Sequence, residues 1–254
     1  MADPLIHSPI ARDTVVDALV TRLRADVLTE RYAAGSLLPP ERELAAGYGV
    51  TRTSLKHALV RLVEAGLLET RHGVGTRVRD FRRTAGPDLL PFLVSLDGPS
   101  WLAEMFAVRR EVGSLIAARA AEQATEDQRR QLLRLRDAIA AAPGGDPAQL
   151  AEAEVHHALA AASGNRVYEL LVNSLLRAYA DVRELFAGPF ADAAVAADRI
   201  TPLVEAVGSG DATAAHAAAD AYYLCTERLM LGDAGDHDPE RDDDGNGTAD
   251  RAAG

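Results

Sequence analysis

Three observations predict a mainly α-helical protein of two domains. The chain has 254 residues, and a prior of about 150 residues per domain suggests two of them. Its composition, 48% hydrophobic and 26% charged, is typical of a globular protein, and it is rich in alanine and leucine, which favour helix. Apolar residues recur at helical spacing along most of the chain, whereas one stretch near residue 73 places glycines between two short β-type runs.

The first predicted element is an amphipathic helix at about residues 13–29. Because its apolar residues lie three and four positions apart, they share one face, which is expected to pack in the core of the first domain. These residues are Val16, Leu19, Val20, Leu23, Val27 and Leu28.

Two further helices follow around a glycine-containing turn. Pro39 and Pro40 favour a helix start at residue 41, because proline suits the first helical turn. Gly49 can take the left-handed conformation that ends this helix, and Thr51 is a suitable N-cap for the next helix, at residues 52–65. This pattern is typical of a helix-turn-helix, whose second helix enters the DNA major groove with its N-terminus first.

The first turn of that second helix has the side chains that DNA binding requires. Hydroxyls and cations are concentrated where free backbone amides and the helix dipole also attract phosphate. The residues are Thr51, Arg52, Thr53, Ser54 and Lys56. Residues 67–71 and 76–79 are then predicted to form a hairpin around His72 and Gly73. The first domain is therefore predicted to be a winged helix-turn-helix with a small β-hairpin wing.

The rest of the chain is predicted to be a C-terminal all-α bundle of about seven helices with short connections. The helices are expected at about residues 89–96, 100–123, 126–142, 147–162, 167–187, 190–207 and 211–231. The predicted division is a first domain at 1–81, a linker at 82–88, the bundle at 89–231 and a tail at 232–254. This tail has eight Asp and Glu against two Arg, a composition expected to be disordered.

The charges are distributed unevenly along the chain. Residues 1–84 contain 13 Lys and Arg and 10 Asp and Glu, whereas the remaining residues contain 14 and 28, giving a net charge of −11. This overall charge argues against indiscriminate binding to nucleic acid. A cationic first domain on an acidic body would instead localise the attraction for DNA.

A cytoplasmic location without a membrane partner is expected from two absences. Cys225 is the only cysteine, so no intrachain disulfide can form. The N-terminus lacks the basic and apolar regions of a signal peptide, and no stretch approaches the roughly 20 apolar residues of a membrane span.

Several motifs resemble the GntR family of bacterial transcription regulators, and most closely its FadR-type branch. In the first domain they are LPPERELA at residues 38–45, GVTRTSL at 49–55 and RHGVGT at 71–76. In the bundle, ALAAASGN at residues 158–165 and EAV at 205–207, followed by Gly210 and Asp211, resemble the FCD ligand-binding domain of FadR-type regulators.

The resemblance implies a homodimer that binds a palindromic operator in double-stranded DNA and responds to a small-molecule effector held in the bundle. The bundle would also be the dimerisation domain. Matching positions imply that Arg42 and Arg52 read bases or clamp the groove edge. The supporting phosphate and minor-groove contacts would come from Thr51, Thr53, Ser54, Lys56, His72 and Gly73.

Many FCD domains hold a divalent metal, and this chain departs from their ligand pattern. An acid and a histidine four residues apart project from one helix face and can grip one ion with histidines of two later helices. Glu152 and His156 match the first pair, but Ile200 and Tyr222 occupy the other two positions. No metal and no cofactor is therefore predicted. The effector is expected to be an acyl-CoA or another anionic, apolar metabolite, and a small carboxylate bound through a metal is the alternative.

The candidate effector-binding residues combine cations with amphipathic side chains. Arg109 matches an arginine associated with acyl-CoA binding in FadR-like proteins, although it could also be a solvated cation beside Glu111. Tyr179 and Arg183, one helical turn apart, could present a phenol and a guanidinium to an anion. Together with Glu152, His156 and Tyr222 they complete the predicted set.

An enzyme is the alternative from another class. Its chemistry would have to come from the Glu152 and His156 pair or from Cys225, without a nucleophile motif or a phosphate-binding glycine loop. The sequence therefore predicts a regulator and no catalytic residue.

Overall fold

The computed structural model describes residues 15–96, 98–180 and 182–235, with the side chains of 98–100 and 233–235 left out. The chain divides into two compact units between Leu96 and Asp97. The prediction of a disordered tail lies mostly outside the described residues.

Up to Val78, the described part of the first unit contains three helices and a hairpin. They are α1 at Val15–Leu28, α2 at Glu41–Tyr48, α3 at Arg52–Glu64, β1 at Leu68–Arg71 and β2 at Gly75–Val78. The strands are antiparallel, and their register runs from the pair Leu68 and Val78 to the pair Arg71 and Gly75. The predicted winged helix-turn-helix is confirmed, with helix ends within two residues of those expected.

The core of this unit follows from the apolar spacing of α1 and α3. Leucines from both helices and from the start of the hairpin are fully buried, among them Leu23, Leu55, Leu62, Leu67 and Leu68. Gly49 ends α2 in the left-handed conformation, with φ 68°. Thr51 then caps α3, because its hydroxyl accepts a hydrogen bond from the backbone N–H of Ser54 at 3.1 Å.

The segment predicted to be a linker contains helical residues. Phe81–Thr84 form a one-turn helix, α4, which begins where the carboxylate of Asp80 accepts a hydrogen bond from the backbone N–H of Arg82. A 3₁₀ turn at Pro87–Leu89 leads into α5 at Leu90–Leu96, which belongs to the first unit. The guanidinium of Arg24 on α1 stacks 3.4 Å from the ring centre of Phe92 on α5. The functional domain boundaries predicted from sequence stay a prediction.

The described residues of the second unit form a bundle of six α-helices. They are α6 at Gly98–Gln123, α7 at Glu126–Ala141, α8 at Asp146–Ala162, α9 at Arg166–Ala180, α10 at Ala193–Ser209 and α11 at Ala212–Gly235. With α5 they account for the seven helices expected after residue 88, and the predicted fold class is confirmed. No helix among the described residues is long and apolar enough to cross a membrane.

The largest error in a predicted helix boundary is at the end of α9. A helix was expected at residues 167–187, but α9 ends at Ala180, and 3₁₀ turns follow at Arg183–Phe186 and Gly188–Phe190. Tertiary contacts favour these turns. The side chain of Gln149 on α8 donates hydrogen bonds to the backbone carbonyls of Arg183 and Phe186, and the Phe186 side chain is fully buried.

Candidate functional site

The residues predicted to bind DNA lie on the surface of the first unit. Thr51, Arg52, Thr53 and Lys56 are exposed at the N-terminus of α3, and Ser54 is half-buried beside the Thr51 cap. Arg42 is exposed on α2. The helix thus presents two cations and three hydroxyls at its positive dipole end, which suits a polyanion.

The hairpin turn supplies the remaining two predicted residues. His72 and Gly73 are exposed between β1 and β2, and Gly73 has φ 75°, a conformation that favours glycine. Arg77 on β2 donates a hydrogen bond to the carbonyl of Gly35 at 2.9 Å, which ties the wing to the loop before α2.

A small cavity of about 50 Å³ lies among α6, α8, α9 and α11 of the second unit. Most of its wall is apolar, contributed by Met105, Phe106, Val112, Ile116, Val172, Leu175, Leu176 and Met230. The polar side chains that line it are Arg109, Gln149, Glu152, His156, Tyr179 and Tyr223. Four predicted effector residues, Arg109, Glu152, His156 and Tyr179, are therefore brought together.

Buried His156 is the centre of this polar cluster. Its Nε2 lies 3.1 Å from Nη2 of Arg109, and its Nδ1 lies 3.2 Å from the hydroxyl of Tyr223. Burial lowers the pKa of His156, so the ring is neutral at pH 7. Because a guanidinium can only donate, Nε2 must be the acceptor and Nδ1 carries the proton, which it donates to Tyr223. The contacts therefore select one tautomer.

Tyr223 was missed by the sequence analysis, which selected Tyr222 by its position in the metal pattern. Both side chains are buried in α11, and the ring centre of Tyr222 lies 5.9 Å from that of His156. Only Tyr223 lines the cavity and reaches His156 with its hydroxyl. A glycine inside α6, Gly113, was the sequence feature that could have indicated a large side chain packed against this helix. A Cβ at Gly113 would lie 2.2 Å from the ring of Tyr223.

An open groove of about 600 Å³ adjoins the cavity and shares Gln149, Ala153, Leu176 and Tyr179 with it. Its wall includes Arg183, along with further polar side chains from α8 and α9, namely Glu154, His157, Asn173 and Arg177. Arg183 forms an ion pair with Asp146. The expectation that Arg183 stands one helical turn from Tyr179 is wrong, because α9 ends before it, and Arg183 lines the groove instead of the cavity.

The residues at the metal positions of FCD domains do not fit a metal ion here. Glu152 Oε1 lies 3.8 Å from His156 Nε2, but that nitrogen already accepts a hydrogen bond from Arg109, whose positive charge would repel a metal ion. Ile200 is buried and offers no donor atom. Within the described residues, no group of three His, Cys, Asp or Glu side chains could hold a metal ion.

Comparisons with known proteins agree with both units. Residues 16–78 match the family described as bacterial regulatory proteins, gntR family, and residues 104–224 match the FCD domain. An HTH-type transcriptional regulator of Mycobacterium tuberculosis is 31% identical over 235 residues, which span 91% of this chain and 97% of the relative. The chain therefore belongs to the GntR family of transcription regulators, in the group with an FCD domain. The expectation that it is a regulator and not an enzyme is confirmed.

Two further proteins are similar to this chain. A fatty acid metabolism regulator protein of an Enterobacter species is 34% identical over 167 residues, which span 64% of this chain and 69% of the relative. The solved structure of Lar, which controls the expression of the Listeria monocytogenes agr system, covers 86% of this chain and 97% of its own, with a TM-score of 0.54 and 14% identity. This second likeness concerns the fold alone.

We predict different effects for Arg52→Ala and Lys56→Ala on operator binding. Losing a base-reading arginine should cost about 1–3 kcal/mol and relax the preference at one operator position, whereas losing a phosphate contact should weaken all sequences alike. Fluorescence anisotropy with an operator and its single-base variants measures both effects. Arg134→Ala, at an exposed position of α7, is the matched control. Full affinity and full sequence preference in Arg52→Ala would show that the assignment is wrong.

Proposed function

We propose that this regulator binds an anionic, largely apolar effector in the cavity of its second unit and that the effector controls its affinity for the operator. The observation that carries the proposal is a half-buried guanidinium, Arg109, at an otherwise mostly apolar cavity. A site of this kind holds an apolar body by burial and fixes its orientation through a small number of polar groups.

The partners of Arg109 explain why an anion is expected. Its hydrogen bonds with described residues go to uncharged groups, His156 at 3.1 Å and the Thr226 hydroxyl at 3.4 Å. Its neighbour Arg110 instead forms a bidentate ion pair with Asp220, at 2.6 and 2.9 Å. A guanidinium forms its strongest hydrogen bonds with a carboxylate or phosphate. Arg109 is therefore suited to bind an incoming acid, whereas Arg110 is already paired with the carboxylate of Asp220.

The volumes indicate how such an effector would be accommodated. A space of about 50 Å³ holds one or two water molecules, so the cavity must expand to hold a metabolite. The side chains of Gln149, Leu176 and Tyr179 belong to both the cavity and the groove, and movement there would join the two spaces. The carboxylate of a fatty acid, or the phosphates of an acyl-CoA, would then contact Arg109, with the acyl chain in the enlarged space.

The proposed class of effector agrees with one relative, the fatty acid metabolism regulator protein that is 34% identical to this chain. An effector changes operator affinity only by as much as it binds one conformation of the regulator better than another. We place this regulation in the cytoplasm, where a bacterial operator is found.

We propose that the protein is a homodimer that binds a palindromic operator, because the symmetry of an operator mirrors that of its protein. Light scattering at micromolar concentration should give twice the chain mass of 27.0 kDa. A monomer, both free and bound to DNA, would contradict this proposal.

We further propose that no divalent metal is a resident cofactor. Elemental analysis of the purified 254-residue chain should find far less than one zinc or nickel per chain, because two protein ligands rarely hold such an ion. One metal ion per chain, lost in His156→Ala, is the contrary result.

The pair Arg109→Gln and Arg110→Gln tests the effector site directly. Removing the charge-assisted contact of Arg109 should weaken the binding of decanoate and decanoyl-CoA by about 10- to 100-fold. Arg110→Gln should leave their affinity unchanged, because this arginine is paired with Asp220. Isothermal titration calorimetry on the full chain measures both variants. If only a small hydrophilic acid such as citrate bound, undiminished in Arg109→Gln, the proposed site would be wrong.

A further inference from the structure

The amide of Gln149 is held in one orientation. This side chain on α8 is only 3% exposed, and its Nε2 donates to the backbone carbonyls of Arg183 at 3.1 Å and Phe186 at 2.6 Å. Carbonyl oxygens only accept hydrogen bonds. If the amide were flipped, its oxygen would face these two carbonyl oxygens without a donor between them. The Oε1 of Gln149 is thereby fixed as an acceptor. It is buried and has no hydrogen-bond partner among the described residues.

A second polar atom at the same cavity is also buried and unpaired. The hydroxyl of Tyr179 on α9 is buried without a hydrogen-bond partner among the described residues. The ring cannot easily turn away, because it stacks on Phe186 with 5.8 Å between ring centres and an interplanar angle of 11°. Burial raises the pKa of Tyr179, so the hydroxyl keeps its proton and can both donate and accept.

Leaving buried polar groups unpaired is unfavourable, and a native structure with two at one cavity calls for a physical reason. Gln149 and Tyr179 both line the cavity, and both also line the adjoining groove. They therefore stand where an effector would pass from one space into the other. A water molecule can satisfy them in the free protein, and a ligand that lacks a matching polar group would displace that water at a loss.

We propose that the effector carries a hydroxyl group that donates a hydrogen bond to Gln149 Oε1 and accepts one from the hydroxyl of Tyr179. This inference rests on the proposed function, in which Arg109 binds the acid group of the effector. A single hydroxyl has one donor and two acceptor positions, so it complements both atoms at once. The two proposals together describe a hydroxylated fatty acid or its acyl thioester.

Titration calorimetry on the full chain can compare decanoic acid with its 2-, 3- and 10-hydroxy derivatives. The wild type should bind at least one hydroxy acid about tenfold more tightly than decanoic acid, as expected for hydrogen bonds to buried groups that are otherwise unpaired. Tyr179→Phe should reduce this preference to less than about threefold. Tyr168→Phe, on the same helix but outside the cavity wall, is the matched control and should keep the wild-type preference.

The thermal midpoint without ligand gives a second readout. Tyr179→Phe should unfold at the same temperature as the wild type or higher, because it removes an unpaired buried hydroxyl and keeps the stacked ring. Equal affinity of the wild type for decanoic acid and all three hydroxy acids would overturn the inference and leave the proposed function standing. If the wild type bound none of the four acids and no decanoyl-CoA, the proposed function would fail, and the inference with it.

Discussion

An uncharged imidazole joins three helices of the second unit. His156 on α8 accepts a hydrogen bond from Arg109 on α6 and donates one to Tyr223 on α11, and this arrangement exists only while the ring is neutral. A protonated ring would have no acceptor for the guanidinium and would place two positive charges 3.1 Å apart. Gly113 belongs to the same constraint, because only a residue without a Cβ allows the Tyr223 ring to approach α6.

The arginines of the protein differ in function according to what they contact. Arg129 donates to the carbonyls of Val207 and Gly208 and to that of Ala121, and so satisfies the C-terminal ends of α10 and α6. Arg110 is paired with a carboxylate, and Arg52 is exposed at a helix N-terminus. Arg109 is the half-buried guanidinium of the cavity wall that contacts uncharged groups. The nature of the contact therefore separates arginines suited to an incoming anion from those that stabilise the fold.

Local patterns predicted the first unit well, because its caps, glycine turn and apolar spacing are all short-range signals. The same spacing placed Glu152 and His156 on one face of α8. The pairing of Tyr179 with Arg183 failed, since it required α9 to continue beyond Ala180, where contacts with Gln149 and Phe186 favour a 3₁₀ turn instead. Tyr223 was missed because two adjacent tyrosines on a helix differ by about 100° in direction, and only the packing partner shows which one faces inward.

We propose that an effector in the cavity controls DNA binding, and thermodynamic linkage tests this control most directly. The affinity of the protein for its operator should be measured with and without saturating decanoyl-CoA, and its affinity for decanoyl-CoA with and without saturating operator. Linkage requires the two ratios to be equal, and an allosteric regulator typically shows a factor of about 5 to 150. We predict equal ratios in that range. Effector binding with the same dissociation constant to free and operator-bound protein would contradict the account.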